Sequence, residues 1–133
     1  MERSSLNTLL VYRKSLALRD LSEAVASYFS RNQEMLSLRQ IDSFRDDITK
    51  SLMTDALLIT QEVEQAALSN SHSVRMKSLS FVNVMTRNIL AYCNGLERDG
   101  VKEKEYLNLL RREIKTFRIT FKKWRKSISN RND

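Results

Sequence analysis

Residues 106–128, YLNLLRREIKTFRITFKKWRKSI, decide the fold prediction for this chain. Large apolar side chains recur there at steps of three and four residues, at Tyr106, Leu110, Ile114, Phe117, Phe121, Trp124 and Ile128. At ~100° per residue, these side chains lie within about 40° of one direction on a helix, and we call them the seam. A seam of this length predicts an amphipathic helix over about residues 102–128 that packs in a helical bundle.

The same stretch carries positive charge on one side only. A cationic stripe lies between roughly 60° and 220° from Leu110 on the predicted helix, and it consists of Arg111, Arg112, Lys115, Arg118, Lys122, Lys123, Arg125 and Lys126. The opposite flank is nearly neutral and holds Leu109, Glu113, Thr116, Thr120 and Ser127. The predicted helix therefore has three distinct faces: the seam, the cationic stripe and a neutral flank.

Upstream, apolar spacing predicts three further helices. The first spans about residues 5–30, with an inner face of Leu6, Leu9, Leu10, Ala17, Leu21, Ala24, Val25 and Tyr28. Residues 29–33 lose the pattern and indicate a connection. The second helix spans about residues 40–68, with Ile41, Phe44, Ile48, Leu52, Ile59, Val63 and Ala66 inward. Asp42, Asp46 and Asp47 lie in its first turns, where the helix dipole favours negative charge.

The third upstream helix spans about residues 74–98. Its inner face consists of Val74, Leu79, Val82, Met85, Ile89, Cys93 and Leu96. Asp99 and Gly100 follow it, and glycine tolerates the left-handed conformation common after a helix. Four amphipathic helices with short connections predict an all-α fold, an antiparallel four-helix bundle in one domain over residues 1–133.

Composition excludes several classes of protein. The chain has two glycines, no proline and one cysteine, which argues against a turn-rich β-sandwich, an intrachain disulfide and a zinc finger. The first glycine is Gly95, so no glycine-rich phosphate loop precedes it. The sequence shows no secretory signal and no long apolar run, so we expect a soluble cytoplasmic protein without a membrane partner.

The formal net charge of +7 comes from the last quarter of the chain. Residues 1–100 hold 12 basic and 12 acidic side chains, whereas residues 101–133 hold 11 basic and 4 acidic ones. Like charges at i,i+3 and i,i+4 repel and slightly destabilise a helix. The simpler explanation is a charged face that keeps the helix soluble. Solubility does not require a face of one sign, however, and the repulsion between its cations destabilises the helix. We therefore expect the stripe to bind a polyanion: RNA, DNA or an acidic protein surface.

The aromatic residues of the last helix lie on the seam, and we interpret Phe117, Phe121 and Trp124 as core residues rather than base-stacking groups. This interpretation favours contacts with the nucleic-acid backbone over base reading. The neutral flank offers a surface for a second subunit and predicts a homo-oligomer.

Other candidate sites are weak. His72 is interpreted as an exposed loop residue, and Cys93 as a small buried apolar residue. Asp46 and Asp47 project ~100° apart on a helix and cannot act as a carboxylate pair. No set of residues combines nucleophile, base and orienting group. We therefore predict no catalytic, cofactor-binding or metal-binding residues and no enzymatic activity.

The order of these patterns resembles a known group of proteins. Residues 9–16 (LLVYRKSL) resemble the start of bacterial four-helix-bundle proteins encoded in intervening sequences of ribosomal RNA genes. Residues 48–52 (ITKSL) and the stretch from 79 through 96 to Tyr106 are similar to the later helices of that group. Residues 121–124 (FKKW) resemble the basic, tryptophan-bearing end of a relative, the accessory variability determinant of diversity-generating retroelements.

The second resemblance implies a homopentameric barrel that binds nucleic acid through the cations of the last helix and partners a reverse transcriptase. The leading expectation is a basic, non-enzymatic accessory protein of that kind. Two alternatives stay open: an intervening-sequence-type protein associated with ribosomal RNA, and an interaction module that docks an acidic partner.

Overall fold

The structure, a computed structural model, describes residues 1–36 and 44–130, and most of these residues are helical. A short helix α1 (Arg3–Leu6) precedes four long helices: α2 (Leu10–Leu36), α3 (Phe44–Leu68), α4 (His72–Arg98) and α5 (Lys104–Asn130). No strand occurs in these ranges. The all-α prediction is confirmed.

The prediction for the first helix is wrong at both ends. Instead of one helix over about 5–30, α1 ends at Leu6 and α2 begins at Leu10. The Thr8 hydroxyl donates to the Ser5 carbonyl at 2.7 Å, a local bond that competes with continuous helix. Residues 29–33, predicted as a connection, belong to α2. No glycine or proline interrupts the helix there, and the fully buried Phe29 holds it in the core.

The later helices lie close to their predicted positions. The predicted start of the second helix near residue 40 lies outside the described residues, and α3 ends at Leu68 as predicted. Helix α4 begins two residues early because the Ser71 hydroxyl accepts from the Val74 amide at 3.3 Å and caps the helix. Gly100 follows α4 with φ of 88°, which confirms the predicted end. Helix α5 lies two residues further along the chain than predicted, from 104 to 130.

The long helices enclose one hydrophobic core. Helix α3 packs against α2 and α4, and α5 packs against the same two helices. Hydrogen bonds join α3 to its neighbours. The Thr60 hydroxyl donates to the Ser15 carbonyl at 3.1 Å between α3 and α2, and the Tyr92 hydroxyl of α4 donates to Asp55 of α3 at 2.7 Å.

The predicted inner faces differ in accuracy. On α5, five residues of the seam are buried: Leu110, Ile114, Phe117, Phe121 and Ile128. The other two, Tyr106 and Trp124, are partly buried against the core. On α3 and α4 most predicted residues are buried, but Phe44 is 57% exposed, Val74 is half-buried, and Ile41 lies outside the described residues. On α2 the predicted face is wrong in part: Leu10, Ala17 and Ala24 are exposed. The buried face there consists of Val11, Ser15, Leu18, Ser22, Val25, Ala26 and Phe29.

Gly95 allows α3 and α4 to approach closely. A Cβ atom at this position would lie 2.8 Å from Ile48 Cδ1, inside van der Waals contact. Gly95→Ala gains about 1 kcal/mol of helix propensity, but the overlap with Ile48 opposes the gain. Ile48→Val removes Cδ1. We therefore expect Gly95→Ala to be more favourable by about 1 kcal/mol in the Ile48→Val background than in the original chain.

Urea denaturation of the four proteins of this double-mutant cycle measures the coupling. Effects that add to within about 0.3 kcal/mol would contradict the close approach.

Candidate nucleic-acid interface

Helix α5 carries the whole cationic stripe on one continuous helix, as predicted. The seam holds this helix in the core, so the stripe faces outward along the edge where α5 meets α4. The structure separates the eight cations into two groups. Arg111 and Arg125 interact with the protein itself, and six outward cations extend beyond them: Arg112, Lys115, Arg118, Lys122, Lys123 and Lys126.

Arg111 is bound to α4 and is a structural residue. Its guanidinium pairs with Glu97 at 2.8 Å and donates to the Asn94 side-chain oxygen at 2.9 Å and to that of Asn108 at 3.0 Å. The Arg111 side chain is only 26% exposed. Three protein acceptors leave it little freedom to bind an external phosphate.

Arg111→Ala is expected to lower the free energy of unfolding by about 1 kcal/mol, because it removes a partly exposed ion pair and its hydrogen bonds. The matched control is Arg112→Ala, one residue along, where the side chain is exposed. This variant is expected to change the free energy of unfolding by less than about 0.5 kcal/mol. Chemical denaturation of both variants checks the difference, and equal effects would place Arg111 with the outward cations.

Arg125 is held against the seam. Its guanidinium carbon lies 5.8 Å from the centroid of the Phe121 ring, within the range of a cation–π interaction. Arg125 is half-buried. This contact still leaves donors on the guanidinium, so Arg125 lies at the edge of the site rather than at its centre.

The six outward cations form the candidate interface. Five of them are exposed and Arg118 is half-buried. Within the described ranges, none of the six forms an ion pair. The helix dipole does not account for them, because its effect is confined to the last turn and the last turn of α5 has no basic residue. The interface is therefore a row of uncompensated positive charge.

The aromatic residues confirm the core interpretation. Phe117 is fully buried and Phe121 is 2% exposed, with their ring centroids 5.8 Å apart. Trp124 is partly buried against the core, 6.3 Å from Phe121. Buried rings cannot stack with bases, so the site offers charge rather than an aromatic platform.

An apolar groove that the sequence pattern does not predict lies beside the stripe. A groove of about 430 Å³ lies between α4 and α5, with Leu90, Ile114 and Ile119 among its lining residues. Cations of the stripe line it as well, among them Lys115, Arg118 and Lys122. Ile119 lies about 180° from Leu110, in the middle of the cationic stripe. An isoleucine among the cations is the one feature of the sequence that indicates an apolar surface within the stripe.

The neutral flank of α5 borders α2. Leu109 is 43% exposed and lines an apolar depression with Leu21, Val25 and the two tyrosines, Tyr28 and Tyr106. The tyrosine rings meet edge to face at 4.8 Å. Thr116 is exposed and Thr120 half-buried. This flank is thus a mixed apolar and polar surface.

The remaining candidates have structural explanations. His72 is exposed, as predicted, but it is the first residue of α4 rather than a loop residue. Cys93 is buried, and burial raises the pKa of its thiol to about 11, which disfavours the nucleophilic thiolate. Burial, with the hydrogen bond to Asp55, raises the pKa of Tyr92 to about 12. Among the described residues, no group of three or more His, Cys, Asp or Glu could hold a metal ion.

In residues 1–36 and 44–130, no helix combines the length and apolarity needed to cross a membrane. Comparison of the chain with protein-family models, curated proteins and solved structures finds no significant match.

Proposed function

We propose that this protein is a non-enzymatic, nucleic-acid-binding accessory protein that contacts the phosphate backbone through α5. One observation carries the proposal: six outward cations occupy one face of one helix and have no ion-pair partner in the described part of the chain. Cations on successive helical turns suit the repeated charge of a phosphate backbone. The buried seam aromatics support backbone contact with little base preference.

The proposed assembly is a homo-oligomer of antiparallel four-helix bundles. Contacts between helix ends support the antiparallel direction: Arg45, at the start of α3, pairs with Asp99, after the end of α4, at 2.7 Å. The neutral flank supports self-association because it lacks the repulsive charge of the stripe. Several copies would present several stripes to one strand and raise avidity without new contacts.

We propose a reverse transcriptase as the protein partner and five as the number of subunits in the homo-oligomer. Both proposals follow from the resemblance of residues 121–124 to the accessory protein of diversity-generating retroelements. In this role the protein would hold the RNA template or the DNA product beside the polymerase.

Salt dependence is the direct test of backbone binding. Each phosphate contact contributes about −0.9 to the slope of log affinity against log salt on duplex DNA. If four to six outward cations bind phosphate, the expected slope on duplex DNA is about −3.6 to −5.4 per subunit. Fluorescence anisotropy with labelled RNA and DNA of two unrelated sequences measures it between low and physiological salt. A slope near zero, or strong discrimination between the sequences, would contradict the proposal.

A further inference from the structure

The groove between α4 and α5 has a chemistry that phosphate binding does not use. Its apolar residues are aliphatic: Leu90 on α4, and Ile114 and Ile119 on α5. Ile114 is fully buried, whereas Ile119 is 52% exposed. Aliphatic side chains offer neither hydrogen-bond donors nor stacking surface to a nucleic acid. Exposed Ile119 and half-buried Leu90 thus give the groove an apolar surface that phosphate contacts leave unused.

The shape of the groove favours a partner segment over a small molecule. It is open along one side, whereas small-molecule sites enclose most of the ligand. On α5 its lining residues extend from Arg111 to Lys122, which is ~18 Å of helix length at ~1.5 Å per residue. An amphipathic helix fits such a groove by inserting apolar side chains at i, i+3 or i+4, and i+7.

The charge at the groove selects the kind of helix. Lys115, Arg118 and Lys122 line it next to Ile119, and they are free of ion pairs within the described residues. Arg111 also lines the groove, but its guanidinium is paired with Glu97 at 2.8 Å. A docked helix thus meets an apolar floor with uncompensated positive charge beside it. Acidic residues flanking its apolar face would complement that charge.

We propose that the α4–α5 groove docks an acidic amphipathic helix of a partner protein, with Ile119 as its exposed apolar anchor. The inference goes beyond nucleic-acid binding because it depends on the groove's apolar floor. Lys115, Arg118 and Lys122 would serve both ligands, so the two would compete for α5. Partner docking and nucleic-acid release would then be coupled.

The test uses a fluorescein-labelled synthetic helical peptide of about 18 residues, with leucines at i, i+3 or i+4, and i+7, and glutamates beside them. A scrambled peptide of identical composition controls for charge alone. Ile119→Ser removes the anchor, and Val84→Ser is the matched control. Val84 is 50% exposed on α4 and does not line the groove. Circular dichroism melting verifies that both variants fold.

We expect Ile119→Ser to weaken peptide binding about tenfold, since it removes apolar area that docking would bury. The same variant should bind a labelled oligonucleotide within about twofold of the original protein, because serine leaves the cations in place. Val84→Ser should change neither affinity. Unlabelled oligonucleotide should displace the peptide.

Three results would overturn the inference: equal binding of the scrambled peptide, unchanged peptide affinity in Ile119→Ser, or an equal loss of oligonucleotide affinity in that variant. The first two of these results do not depend on whether the protein binds nucleic acid. If the protein fails to bind oligonucleotides but binds the peptide through Ile119, the proposed function fails and the docking site stands.

Discussion

Charge reversal of the outward cations should reduce nucleic-acid affinity by about a hundredfold or more at low salt. The variant changes Lys115, Arg118, Lys122 and Lys126 together to glutamate. It removes four of the six cations available to phosphate and places repulsive charge on the same helical face. Three of the four side chains are exposed and Arg118 is half-buried. The variant should therefore fold, and anisotropy titration against RNA and DNA measures the loss.

A matched charge reversal separates a localised site from a general attraction to anions. It changes four exposed cations outside the stripe, namely Arg13, Lys77, Arg98 and Lys102. Both variants undergo the same change in net charge, so bulk electrostatics predicts the same loss for both. We expect the control to lose less than about tenfold in affinity. Equal losses would show that the protein binds through its net charge, and the stripe would have no special role.

The features that the sequence predicted best are those that depend on one helix alone. The seam and the stripe of α5 follow from spacing and residue type, so the helical period places both correctly. Large apolar residues mark every turn of this helix from Leu110 to Ile128, which leaves no ambiguity in the direction of the core. The same holds for α4, where Leu79, Val82 and Ile89 are fully buried.

The prediction for α2 failed because its buried face contains serines. Val11, Ser15, Leu18, Ser22, Val25 and Phe29 follow steps of four and three residues, and all are buried. A pattern read from apolar residues alone skips Ser15 and Ser22 and rotates the inferred face towards Leu10, Ala17 and Ala24. Small side chains suit a close contact: the Ser15 carbonyl accepts from Thr60 of α3 at 3.1 Å. The buried face of α2 is therefore determined by its packing against other helices, which cannot be inferred from the sequence of α2 alone.

The sequence alone likewise does not predict which cations of the stripe contact the protein itself and which face outward. Arg111 and Arg112 are adjacent and chemically identical, yet only Arg111 meets Glu97 and Asn94 of α4. These partners lie 14 and 17 residues away along the chain, and only the packing of α4 against α5 brings them together. The groove has the same origin, because Leu90 joins Ile114 and Ile119 only in the folded chain.

Phe117 tests whether the seam aromatics build the core or contact the ligand. Phe117→Ala should lower the free energy of unfolding by about 3–5 kcal/mol, because it removes a fully buried ring and leaves a cavity beside Phe121. Phe117→Leu keeps the site apolar and should cost less than about 1.5 kcal/mol. The matched control for stability is Ile119→Ala, two residues along the helix at a 52% exposed position. It should cost less than about 0.5 kcal/mol.

The affinity of folded Phe117→Leu for RNA and DNA distinguishes a core role of Phe117 from a base-stacking role. A core residue influences the ligand only through folding, so Phe117→Leu should bind RNA and DNA within about twofold of the original protein. A stacking residue contributes about 1–3 kcal/mol per base, and its loss would weaken binding about fivefold or more. A tenfold loss in folded Phe117→Leu would therefore contradict the core role, and it would require α5 to expose its seam when nucleic acid binds.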